Sequence, residues 1–277
     1  MDPLGAVDQW PEARAAVGVV RAGEVLATRG PMDRPFPLAS VTKLLTAMAV
    51  LVAVEEGTVA LDDEAGPEGA TVAHLLAHAS GLGMDGARLA APGRRRIYSN
   101  AGFDLLGELV AERAGMPFAT YANEAVFAPL GMTATAISGS PAWEAAGSAA
   151  DLCAFGRELL APTLVSDKTL ATATTVAFPG LTGILPGFGR QEPNDWGLGF
   201  EVRDHKTPHW TGTRNSPATF GHFGRTGTFL WVDPDASGTL RTPGAGLALV
   251  CLTSRDFGPW AAEAWPALSD AVLATYL

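Results

Sequence analysis

Apolar positions fall in blocks whose spacing changes along the chain. Ala15–Val20 and Glu24–Thr28 are strand-like runs separated by Arg21-Ala22-Gly23, which predicts a β-hairpin near the start. Leu44–Val54 is apolar except at Thr46 and is followed by Glu55-Glu56-Gly57, so a helix beginning near Ser40, covered on most sides and stopped at the glycine, is expected. From Thr71 to about Leu160 the pattern is mainly helical. Thr71 is placed to cap a helix through His78, Asn100 one running to Ala114, and Ser148 one starting at about Ala149. Residues 178–199 are rich in Gly and Pro. Strand character returns at Leu198–Val202, Thr228–Val232 and Gly246–Leu252, and Trp260–Leu277 reads as a helix despite Pro266.

Strands first, helices in the middle, strands and a helix last predict an α+β fold of the α/β sandwich kind. An antiparallel sheet would be built from both chain ends, residues 1–65 and 197–277, with flanking helices and an inserted, mainly helical lobe over 66–196. Clefts between such lobes are common small-molecule sites. With 277 residues, 47% of them hydrophobic, the chain can bury a sizeable core. Lys and Arg total 19 against 29 acidic residues, a net charge of −10, which disfavours nucleic acid as a partner. Two cysteines make no disulfide framework, and Cys251 lies in an apolar, strand-like run. The start, Met1-Asp2-Pro3-Leu4-Gly5, lacks the basic and apolar stretches of a secretion signal, so a cytoplasmic location is expected. Leu44–Val54 falls well short of the roughly 20 residues of a membrane span, and no membrane partner is expected. Oligomeric state is not encoded in any motif.

The chemistry concentrates in three places. Lys43 is the only charged residue between Pro35 and Val54, three positions after Ser40. On one helical face its amine would approach the serine hydroxyl, and burial would lower its pKa until it could accept a proton from that weak nucleophile. The alternative is that Ser40 caps the helix and Lys43 reaches the surface. In Tyr98-Ser99-Asn100, residues two apart on an extended segment would put a phenol and an amide into one cleft; otherwise Asn100 is a helix cap and Tyr98 a core aromatic. Gly221–Thr228 enters the strand Phe229–Val232, where an exposed edge N–H could meet a carbonyl oxygen, or it is a glycine-rich turn.

Together and in this order, these motifs resemble the serine β-lactamase and penicillin-recognising superfamily, in the branch of class C β-lactamases, D-alanyl-D-alanine carboxypeptidases and related esterases. The likeness extends to His74-Leu75-Leu76-Ala77-His78-Ala79-Ser80-Gly81-Leu82, Tyr98-Ser99-Asn100-Ala101-Gly102, Pro129-Leu130-Gly131-Met132 and Val232-Asp233-Pro234, and so spans about Pro37 to Arg255. It implies Ser40 as nucleophile, Lys43 as its base partner and Tyr98 as proton shuttle. Asn100 would bind the acyl side of the substrate, and His222-Phe223-Gly224 would stand at the family's Lys-Thr-Gly position. The backbone N–H groups of Ser40 and Arg225 would form the oxyanion hole. A neutral His222 and the hydroxyl-free Phe223 weaken recognition of a β-lactam carboxylate, though Arg225 could compensate. The expected activity is hydrolysis of a small ester or D-amino-acid-type amide through an acyl-enzyme, without metal or cofactor. Acyl transfer, β-lactam hydrolysis and a non-catalytic binding role are the alternatives.

Other clusters carry weaker signals. Arg94-Arg95-Arg96 reads as a solvated loop, as does Lys206-Thr207-Pro208 between His205 and His209. His74 and His78 are four apart, but Leu75 stands where a zinc-protease glutamate would follow, so capping and core roles are expected. Pocket walls are expected from residues 178–199 and from around Arg94.

Overall fold

A computed structural model describes residues 2–10, 13–234 and 246–277. Met1 of the turn-rich start therefore lies outside the described residues. The strands are β1 Ala15–Val20, β2 Val25–Arg29, β3 Pro35–Pro37, β4 Ala136–Ile137, β5 Ala145–Ser148, β6 Gly183–Leu185, β7 Gly189–Gln191, β8 Glu201–Val202, β9 Phe220–Gly224, β10 Thr228–Asp233 and β11 Leu247–Thr253. The α-helices are α1 Thr42–Glu55, α2 Val72–Leu76, α3 Asn100–Ala114, α4 Phe118–Ala122, α5 Ala149–Leu160, α6 Asp167–Ala173 and α7 Pro259–Tyr276.

Strands from both ends of the chain build one six-stranded antiparallel sheet in the order β2-β1-β11-β10-β9-β8. Its central strands read as unbroken apolar runs because both faces are covered. Along β11, Leu247, Leu249 and Cys251 join α7 residues Trp265, Leu268 and Val272, whereas Ala248, Val250 and Leu252 join the core that contains α1 and α5. The mixed fold with an antiparallel sheet and flanking helices is as expected. α1 explains its own sequence, since every residue from Thr42 to Ala53 is buried.

Several local expectations change. Ser40 does not cap α1: it sits in a 3-10 turn, Ala39–Val41, and no side chain caps the helix. Ala39 holds a left-handed φ of 44°, a strained conformation for a residue with a Cβ, directly before Ser40. α3 is capped by Ser99, whose hydroxyl accepts from Gly102 N–H, so Asn100 is the first helical residue and its amide is left for other work. α2 stops at Leu76 and His78 takes a φ of 53°. The stretch read as mainly helical also contains β4 and β5, which pair with β3 in a small second sheet. Of Leu198–Val202 only Glu201–Val202 pairs as a strand.

Candidate active site

The 3-10 turn carrying Ser40 packs against the open half of β9. β8 pairs only with Phe220 and Gly221, leaving His222–Gly224 as a free edge. Two hydroxyls fasten the approach to Ser40: Thr226 Oγ1 donates to Pro37 O at 2.7 Å and Thr228 Oγ1 to Leu38 O at 2.9 Å. The closeness requires glycine at 224, where a Cβ would lie 2.4 Å from Leu38 O and 3.1 Å from the Ala39 Cβ. Arg225 takes the second position of a turn closed by Gly227 N–H on Gly224 O at 3.0 Å, a position whose own N–H the turn leaves unused.

Lys43 lies in the first turn of α1 with no exposed surface. Its amine donates to Asn100 Oδ1 at 2.7 Å and to Ala142 O at 2.9 Å, and sits 4.7 Å from the centre of the Tyr98 ring. Burial lowers its pKa to about 7, against a weaker pull upward from Asp104. A neutral amine has two N–H bonds and one lone pair. Both bonds are in use here, so the lone pair is what remains to receive a proton.

Ser40 lines the same cavity as Tyr98, and its hydroxyl works to lower the Tyr98 pKa. A direct Ser40–Lys43 hydrogen bond, expected from their three-residue spacing, is not found among the described residues: both N–H bonds of the neutral amine are taken by Asn100 Oδ1 and Ala142 O. The Tyr98 hydroxyl also lies 3.2 Å from His222 Nε2, and His222 Nδ1 lies 2.7 Å from Phe223 O. A carbonyl only accepts, so Nδ1 carries the proton and Nε2 of the neutral ring accepts from Tyr98. The Tyr98 oxygen thereby keeps a lone pair for the Ser40 proton. Burial, and then the Lys43 charge, push His222 down to about 3; burial pushes the Tyr98 phenol up, although the Ser40 bond opposes this. At neutral pH both groups are uncharged, and Lys43 is the member of the set that titrates.

Ser40, Tyr98, Asn100, His222, Phe223 and Arg225 line one cavity of about 490 Å³, within the usual range of ligand pockets. Its walls include Leu185, Pro186, Gly187 and Trp196 from the expected Gly/Pro-rich stretch. Trp143, Met84, Phe257 and Glu201 also line it and were not foreseen, since neither spacing nor composition marks them. Arg94 does not reach it.

Of two clusters read as solvated loops, Arg94, Arg95, His205, Thr207 and Pro208 are exposed as expected, whereas Arg96, Lys206 and His209 are buried. The Arg96 guanidinium, 2% exposed, donates to the carbonyls of Ala77, Ala177, Phe178 and Asn194, pinning the cavity wall to the segment before Tyr98. Glu201 accepts from Lys206, His209 and Trp210 beneath the cavity. Burial works to raise its pKa, but His209 and Lys206 hold it well below the usual carboxylate range. With both oxygens engaged, it is not available as a base. His74 bonds Thr71 and His78 is buried beside Tyr98, as a capping and a core histidine would be.

A sequence profile of the beta-lactamase family matches residues 7–273. The chain belongs to the beta-lactamase family. This is a family of serine hydrolases whose members include esterases and carboxypeptidases. A beta-lactamase from Mycobacterium bovis of known crystal structure is 54% identical, with a TM-score of 0.94 over 99% of each chain. The D-alanyl-D-alanine-carboxypeptidase/endopeptidase AmpH of Escherichia coli is 30% identical over 151 residues, 41% of this chain and 39% of AmpH. Esterase EstB of Burkholderia gladioli is 34% identical over 189 residues, 45% of this chain and 48% of EstB. The chain thus matches less than half the length of these two beta-lactamase-family relatives. No helix among the described residues is long and apolar enough to cross a membrane.

Proposed function

We propose that the protein is an esterase that acts through an acyl-enzyme on Ser40. The observation that carries this reading is a buried, half-neutral Lys43 amine 4.7 Å from the Tyr98 ring centre, with Ser40, Tyr98 and His222 lining one apolar cavity. Ser40 Oγ attacks the ester carbonyl carbon while its proton passes to the Tyr98 oxygen and the phenol's own proton, leaving His222 Nε2, passes to Lys43. The N–H groups of Ser40 and Arg225 receive the oxyanion. Collapse of the tetrahedral intermediate breaks the carbonyl–oxygen bond, and the proton returns to the departing alcohol. Water then repeats the sequence on the acyl-enzyme, releasing the acid and restoring Ser40. Asn100, held by Lys43, is placed to orient the acyl group.

Ester is favoured over β-lactam and carboxypeptidase substrates because the described residues place no fixed cation at the centre of the site: His222 is neutral, and Arg225 stands exposed at the rim. The resemblance to EstB supports the same choice. The test is a comparison of p-nitrophenyl esters, a chromogenic cephalosporin and a D-alanyl-D-alanine peptide under one set of conditions. The reading requires kcat/KM to be highest for the esters; faster turnover of the cephalosporin or the peptide would overturn it.

A further inference from the structure

The carbonyl that holds the Lys43 amine belongs to a bonded chain ending on a charge. Ala142 N–H donates to Ser140 Oγ at 3.1 Å, and the Ser140 hydroxyl donates to Asp104 Oδ1. Ser140 N–H is taken by Glu144 Oε2 at 2.6 Å, and Thr46 Oγ1 donates to Pro141 O at 2.6 Å, so residues 140–142 are clamped between α1 and α3. Asp104 lies on α3 four residues after Asn100, the other acceptor of the amine. That spacing places both on one face of the helix.

We propose that Asp104 is the positioning residue of the Lys43 amine: through Ser140 it fixes the Ala142 carbonyl that the amine donates to, and its carboxylate charge acts on the amine itself. Among the described residues, the other titratable groups around Lys43 are Tyr98 before α3, His222 on β9 and His78 after α2, with the Glu144 carboxylate bonded to Ser140 N–H in the same clamp. Burial holds both rings below their ordinary pKa and the phenol above its own, so all three are uncharged at neutral pH. Asp104 is the carboxylate that draws the amine toward its protonated form. The inference rests on Lys43 as the proton acceptor, and its test also works on a protein that hydrolyses nothing.

The chain has three lysines, Lys43, Lys168 and Lys206, so a lysine-13Cε label gives a readable NMR titration. Asp104→Asn keeps an oxygen for the Ser140 hydroxyl and removes the charge. The Lys43 titration and the acid limb of kcat/KM should both move to lower pH by about half a unit, on the order of a threefold rate gain on that limb, as expected for a partly exposed charge. Asp104→Glu should restore both. Ser140→Ala keeps the charge, so the limb should stay in place while kcat falls severalfold as the Ala142 turn loosens. A Lys43 titration unmoved in Asp104→Asn, or moved equally far in Ser140→Ala, would overturn the proposal. A shifted titration in a protein without ester turnover would support the link to Asp104 and overturn the esterase reading instead.

Discussion

The most quantitative consequence of the site concerns the protonation of Lys43. An ordinary lysine, with a pKa of 10.5, is neutral in roughly 0.03% of molecules at pH 7, whereas at a pKa of about 7 half the molecules hold a free base. Burial therefore raises the population of the proton acceptor on the order of a thousandfold. The neutral fraction is about 9% at pH 6 and about 91% at pH 8, so kcat/KM for a p-nitrophenyl ester should rise about tenfold across that window with a midpoint near 7. His222, near 3, and Tyr98, above its ordinary range, leave that window free of other transitions in the set. Lys43→Arg supplies a cation that does not deprotonate, and kcat/KM should drop about 10²- to 10⁴-fold with the pH dependence lost. The assay is initial rates from pH 5 to 9 with correction for spontaneous hydrolysis, on protein shown by circular dichroism to be folded. A flat profile between pH 6 and 8, or Lys43→Arg retaining more than about a tenth of the rate, would refute the assignment.

Other consequences follow from contacts elsewhere. Gly224→Ala places a Cβ 2.4 Å from Leu38 O and should push the Ala39–Val41 turn off β9, lowering ester kcat/KM at least about tenfold while thermal melting stays cooperative. Glu201→Gln leaves the Lys206 ammonium buried without its carboxylate, at a cost of about 3–5 kcal/mol, which should appear as a melting point lower by about 10 °C. His222 has a folded-state pKa below its ordinary 6.5, so the unfolded chain binds the extra proton between about pH 3 and 6.5. Stability should therefore fall as pH falls through that range, and urea titrations of His222→Gln should show a shallower acid slope.

How much of this could be read from the chain depended on whether a residue's partners lie close in sequence. β11 and α1 were legible because burial on all sides leaves an unbroken apolar run, and Lys43 stood out as the single charge in such a region. Ser40, Tyr98, Asn100 and His222 stood out because each lies in a compact motif, and the fold brings them to one cavity. The i, i+3 spacing marks the helix but not the partners of the amine, which bonds Asn100 and Ala142, 57 and 99 residues away. Arg96 and Lys206 were misread because a run of charged residues ordinarily signals solvent. The carbonyls that satisfy Arg96 lie 81, 82 and 98 residues away at Ala177, Phe178 and Asn194, and 19 away at Ala77, and no local pattern announces them. β4 escaped notice because two residues, Ala136–Ile137, are too few to show alternation, and β5 because its Ala, Gly and Ser show none.

The central claim is that the hydroxyl at position 40 becomes acylated. Incubation with a fluorophosphonate, followed by intact mass and peptide mapping, measures this directly. The wild-type protein should gain one phosphonyl group on the peptide containing Ser40, and Ser40→Ala should gain none while remaining folded. An unmodified wild-type protein, or an adduct that persists in Ser40→Ala, would contradict the account.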